Sequence, residues 1–144
     1  MLREDFGKNI AIANTVWIEP VWKTIWSNKA ILPILWQLYP QHPLLLEASF
    51  SPLTRPQIIK PALGREGRGV RFSDETKPIA DPTLGRNIYQ RRFDIGPHDG
   101  KYPIIGSWLV DGNFAGIGIR EGGLITGNTA PFVPHVIGSQ SDAH

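Results

Sequence analysis

Residues 102–119 read YPIIGSWLV-DGN-FAGIGI, two apolar runs separated by Asp111-Gly112-Asn113. An Asp-Gly pair between such runs is a strong hairpin signal, because the turn positions need a backbone conformation that Gly, Asn and Asp adopt at low cost. Working back along the chain, Asn87 to Phe93 alternates Ile88, Gln90 and Arg92 against Tyr89, Arg91 and Phe93, the period of a strand. Gln57-Ile58-Ile59-Lys60 reads as a strand closed by Pro61, and Val70-Arg71-Phe72 as another, after a glycine-rich loop. Upstream of Ser51-Pro52 the period is helical. Pro20 suits a first helical turn, where its missing N–H needs no partner, and Trp22, Ile25 and Trp26 follow at helical spacing. Ser27-Asn28 offers a cap for a second helix starting near Ile31 or Leu32, with Ile31, Leu32, Leu35 and Leu38 as its apolar stripe and Tyr39-Pro40 as its end. The expected fold is α+β, helices followed by one antiparallel sheet of four or five strands. The polar, Pro-rich stretch from Asp74 to Gly85 is the least ordered on composition.

Composition narrows the chemistry. The chain has 144 residues, which suits one domain, and 15 Lys+Arg against 13 Asp+Glu leave a net charge of +2. Zero Cys excludes disulfides, thiolate metal sites and a Cys nucleophile. The N-terminal MLREDFGKN has no apolar core of a signal peptide, and no apolar stretch is long enough to span a bilayer. A cytoplasmic location is expected. Trp17, Trp22, Trp26, Trp36 and Trp108 are read as core packing. His42, His98, His135 and His144 lack the spacing of metal ligands and are read as loop residues.

The strongest local signal for chemistry is Lys60-Pro-Ala-Leu-Gly64-Arg65-Glu66-Gly67-Arg-Gly69. A strand that delivers a lysine into a glycine-rich turn can cradle phosphate: backbone N–H groups approach the anion and the ammonium supplies charge. It is neither a Walker loop nor a dinucleotide fingerprint, and alone it is read more readily as a hairpin with solvated arginines. Lys29, near a helix start, and Arg120, at the end of a hairpin strand with Glu121 placed to orient it, add positive charge. A separate basic–aromatic set, Arg65, Arg68, Arg71, Arg86, Arg91 and Arg92 with Phe72, Tyr89 and Phe93, suits a single-stranded nucleic-acid groove. The small net charge weighs against it.

Taken together, Glu19-Pro-Val-Trp-Lys23, Ser27-Asn-Lys-Ala-Ile-Leu-Pro33, Leu38-Tyr-Pro-Gln-His-Pro43, Lys60-Pro61, Gly64-Arg-Glu-Gly67, Tyr89-Gln90, Ile105-Gly-Ser-Trp108, Ala115-Gly-Ile-Gly-Ile-Arg-Glu121 and Phe132-Val-Pro-His135 resemble the C-terminal part of the glutathionylspermidine synthase family. The resemblance runs from about Val16 to Ile137 in unbroken order. It implies part of a circularly permuted ATP-grasp fold, with residues 1–144 as an incomplete portion of that domain. It further implies an ATP-dependent carboxylate–amine ligase working through an acyl phosphate, inactive as this portion alone. The acid would be glutathione-like and the amine polyamine-like.

By the same resemblance Lys29 and Lys60 hold the ATP phosphates, and Gly64, Arg65, Glu66 and Gly67 form the mobile loop over them. Tyr89 and Gln90 lie on the hinge strand whose backbone meets adenine, Ile125 and Thr126 line the site, and Arg120 is the catalytic arginine. Mg²⁺ would accompany ATP, with ligands expected in an N-terminal portion that a separate partner chain would supply; no metal ligand is assigned here. Two departures stand out: Asn128-Thr129-Ala130-Pro131-Phe132 where relatives carry Asn-Thr-Ser-Arg-Phe, and Gly122-Gly123 in place of a more acidic stretch. The competing readings are a nucleotide-binding or interaction module without catalysis, and the nucleic-acid groove.

Overall fold

A computed structural model describes residues 5–16, 21–73, 81–136 and 138. Trp17, Glu19, Pro20, Ile137, His144 and most of the Pro-rich stretch lie outside them. The architecture is α+β, as expected, but the strands form two antiparallel sheets instead of one.

The helical half is short. Residues Val21–Ser27 form a 3₁₀ helix, and α1 spans Ile31–Leu38. Pro33 falls in the first turn of α1, where its missing N–H would have had no intrahelical acceptor, and its ring is fully buried. Asn28 acts two residues earlier than a usual cap: its side-chain oxygen accepts from the Ala30 N–H at 3.0 Å, and its carbonyl accepts from Ile31 N–H at 3.1 Å. The Lys29 N–H donates to the Ala62 carbonyl at 2.9 Å, which pins the helix entry to the end of a strand.

The first sheet has the order β1-β4-β2-β3, from β1 (Ala48–Ser49), β2 (Gln57–Pro61), β3 (Arg71–Phe72) and β4 (Asn87–Arg91). Its register pairs Lys60 with Ile88 and Gln57 with Arg91. The core lies around this sheet: Ala48, Ala62, Leu84 and Ile88 are buried, Ile88 completely. The second sheet has the order β5-β6-β7, from β5 (Tyr102–Val110), β6 (Asn113–Gly122) and β7 (Phe132–Val133). The β5–β6 turn has Asp111 at φ 49° and Gly112 at φ 75°, with Val110 opposite Asn113, so it is the tight two-residue hairpin that Asp-Gly encodes.

The division into two sheets has a local cause. Strand β4 stops at Arg91, and the connection contains Gly96-Pro97, where one residue lacks the N–H a ladder needs. A tight turn then joins His98 to Lys101 through Asp99 and Gly100, both at positive φ.

The reading of the tryptophans as core is overturned for three of them. Trp22 is 58% exposed, Trp26 67% and Trp108 62%; Trp36 is half-buried. The 3₁₀ helix and the hairpin each present an apolar face that no second layer of the described residues covers, so helical spacing and apolar runs here do not mark burial. Leu38, the last member of the α1 stripe, is exposed for the same reason.

Candidate functional site

Strand β2 carries Ile58 and Lys60 on one face, as the two-residue period requires. Beyond Pro61 the chain turns through the glycine loop, and β3 returns with Phe72 opposite Ile58. These elements, Lys29 at the start of α1, and residues 124–126 after β6 enclose a cavity of about 240 Å³. Ile58, Val70 and Phe72 supply apolar wall; Lys29, Lys60 and Thr126 supply the polar groups.

The loop is held from several sides. Arg68 N–H donates to Arg65 O at 2.9 Å and Val70 N–H to Gly67 O at 3.0 Å, while the Arg68 guanidinium pairs with Asp81 at 2.8 Å. Lys29 Nζ donates to the Gly64 carbonyl. Gly67 takes φ 74°, and a Cβ there would lie 2.7 Å from both the Ile125 side chain and the Thr126 carbonyl. Only a glycine lets the loop pass so close.

No carboxylate among the described residues lines this cavity. Lys60 Nζ instead donates to Oε1 of the buried Gln90 at 2.7 Å. Burial pushes the Lys60 ammonium below its usual range, and the Lys29 charge pushes it further. Lys29 is lowered by burial first and then by Arg65. Two part-buried ammoniums with no carboxylate partner among the described residues make a site of positive potential.

Of the residues singled out in the sequence, Lys29, Lys60, Gly67, Ile125 and Thr126 line this one cavity. Gly64 and Gln90 join it through the lysines. Arg65 and Glu66 are exposed on the loop. Tyr89 is half-buried on β4, whose backbone at Tyr89 and Gln90 pairs with β1 on one edge and β2 on the other. No unpaired edge is left there for a base, so the contact Gln90 makes is through its side chain.

Arg120 stands elsewhere. Its guanidinium lies 5.9 Å over the Phe132 ring and borders a separate cavity of about 370 Å³ with Trp108, which shares no lining residue with the lysine cavity. Glu121 does not orient Arg120: it pairs with Lys101 at 3.3 Å, because neighbouring residues of a strand point to opposite faces.

Half of the arginines in the basic–aromatic set are engaged within the chain. Arg86 lies over Phe50, Arg92 over Phe72 and against Asp94, and Arg68 against Asp81. Sequence reasoning missed Phe72, Val70 and Ile58 as cavity walls, although their alternation with Lys60 along facing strands is the signal that places them. It also missed Asp81, whose carboxyl is held below the usual range by the Thr83 hydroxyl and N–H, with Arg68 adding to them. Among the described residues no group of three or more His, Asp or Glu could hold a metal ion, so the residues present do not fit a Mg²⁺ centre. No helix among them is long and apolar enough to cross a membrane.

Comparison with known proteins gives relatives of one kind. The chain is 40% identical over 147 residues to a Haemophilus influenzae protein named as a candidate acid–amine ligase, covering 91% of this chain and 37% of that protein. It is 39% identical over 127 residues to trypanothione synthetase of Crithidia fasciculata, covering 81% and 20%. With the bifunctional glutathionylspermidine synthetase/amidase of Escherichia coli it shares 36% identity over 111 residues, covering 71% and 18%. The chain thus spans well under half the length of these relatives. The family described as glutathionylspermidine synthase preATP-grasp matches residues 1–138, and the chain belongs to it.

Proposed function

We propose that this chain is the nucleotide-holding portion of an ATP-dependent acid–amine ligase. The observation that carries the reading is the cavity in which Lys29 and Lys60 converge under a glycine loop, with no acid among the described residues to neutralise them. Lys29 and Lys60 would hold the phosphates, and the Ile58, Val70 and Phe72 walls suit the flat, less polar base. Gln90 keeps Lys60 extended toward the cavity. ATP bound there would supply the phosphoryl group that activates a carboxylate, from which an amine would displace phosphate to leave an amide. Glutathione-like acids and polyamine-like amines are the substrate classes that the relatives' names suggest.

The absence of a metal-holding acid cluster among the described residues favours binding over turnover by this chain alone. Phosphoryl transfer from ATP needs divalent metal held at the phosphates. Calorimetric titration of the chain with ATP tests the reading. Saturable binding is expected, weakened about tenfold or more in Lys60→Ala, the usual effect of losing a charged hydrogen bond. No binding to the wild-type chain would sink it. ADP release on adding glutathione and spermidine separates a competent ligase from a binding portion.

A further inference from the structure

At the other end of the β2–β4 pair from Lys60, a second cavity of about 450 Å³ opens, and it shares no residue with the first. Three separate segments build it: the loop after α1 brings His42, the turn before β2 brings Arg55, and the last residue of β4 is Arg91. The half-buried Trp36 indole forms one wall. The loop is fixed by consecutive turns, with His42 N–H donating to Tyr39 O at 3.3 Å and Leu45 N–H to His42 O at 3.0 Å.

Hydrogen-bond capacity decides what this cavity takes. His42 Nδ1 accepts from the Leu44 N–H at 3.2 Å, so the ring proton is on Nε2, which is left as a donor. Glu47 is the single acid among the described residues that line the cavity, and it contacts Arg55 at Nε, 3.2 Å away. The two terminal nitrogens of that guanidinium have no partner among the described residues and form a fork. Arg91 anchors itself only by its backbone, donating to the Glu47 carbonyl at 2.8 Å; its guanidinium has no partner among the described residues. Two guanidiniums and an imidazole N–H therefore line the cavity with one carboxylate that is already engaged.

We propose that this cavity is a binding site for a compact oxyanion, a phosphate or a carboxylate group, held by Arg91, the free end of Arg55 and His42 against the Trp36 wall. The site is independent of the ATP cavity, and nothing in it depends on that reading. Planar guanidiniums match both oxyanions bidentately, and the indole shields one side from water.

Titration of the ¹⁵N-labelled full chain with sodium phosphate, and separately with sodium acetate, tests it by NMR, with sodium chloride at matched ionic strength as the reference. Saturable shifts of the Trp36 indole N–H and the Arg55 and Arg91 Nε–H signals are expected. Saturation by phosphate alone assigns a phosphoryl ligand; saturation by acetate assigns a carboxylate. Arg91→Ala weakens the response about tenfold or more, whereas Lys60→Ala leaves it in place. Glu47→Gln removes the one opposing charge and tightens binding, an effect that a purely structural role for these residues would not produce. Shifts that stay linear, or that chloride reproduces, overturn the proposal, and so does tightening absent from Glu47→Gln.

Discussion

Gly67 and Thr126 meet so closely that a Cβ on the glycine would stand 2.7 Å from the Thr126 carbonyl oxygen. That contact closes the glycine loop of the first sheet onto the segment leaving the second, and it forms one wall of the lysine cavity. Gly67→Ala adds a methyl against the Thr126 backbone, which cannot retreat cheaply, and against the Ile125 side chain. It also forces an L residue to hold φ 74°, which costs about 1–2 kcal/mol by itself. Urea unfolding should show at least that loss, and ATP titration a weaker complex. An unchanged midpoint together with unchanged affinity would mean that the loop does not sit on residues 125 and 126 in solution.

The Lys60–Gln90 hydrogen bond is the second joint of the site, 2.7 Å long and part-buried. Gln90→Leu keeps the volume but removes the acceptor, leaving a part-buried ammonium unpaired at a cost of about 1–3 kcal/mol. Lys60→Met in the same chain removes the stranded charge, so the double variant should recover part of the loss. A double variant as unstable as the sum of the singles would show that the two side chains do not interact.

Protonation of the lysines gives a pH signature. Burial first, then the neighbouring positive charge, lowers both Lys60 and Lys29 from 10.5. In the alkaline window below 10.5 the unfolded chain therefore holds more protons than the folded one, and these two groups make stability rise with pH there. Binding of a polyanion has the opposite sign. ATP favours the ammonium forms, so its binding takes up protons in that window and its affinity falls as pH rises. Calorimetry at one alkaline pH in two buffers of different ionisation enthalpy reads the uptake directly. It should shrink in Lys60→Met; a heat independent of buffer would remove these lysines as the phosphate holders.

What was legible in the sequence was local. The Asp111-Gly112 turn needs positive φ at two adjacent residues, and that demand fixed the β5–β6 hairpin before any packing was known. The start of α1 and the strand ending at Pro61 were likewise set by proline chemistry. Within the site, the motif order named Lys29, Lys60 and Gly67 together, and the fold brings them to one cavity. The two-residue strands β1 and β7 were not legible, because a ladder of two residues leaves no period to read. The split into two sheets depends on which strands pair, a long-range choice that alternation does not encode. Charge and the family resemblance both group Arg120 with the lysines, whereas its position is set by its register opposite Ile104 and Phe132.

The exposed tryptophans give the sharpest contrast in energy. Ile88 is wholly buried between β1 and β2, so Ile88→Ala should cost about 2–5 kcal/mol through lost transfer energy and the cavity left behind. Trp22 is larger, and by sequence alone it would rank as the worse loss. At 58% exposure, however, its indole has little contact to forfeit, and Trp22→Ala should cost about 0.5 kcal/mol, as surface changes do. Urea midpoints for the two variants, taken at micromolar and at tenfold higher concentration, decide the matter. A cost for Trp22→Ala that matches Ile88→Ala, and grows with concentration, would show the indole buried against a second copy. A large cost that is independent of concentration would mean that the 3₁₀ helix packs onto its own chain and that the tryptophan belongs to the core after all.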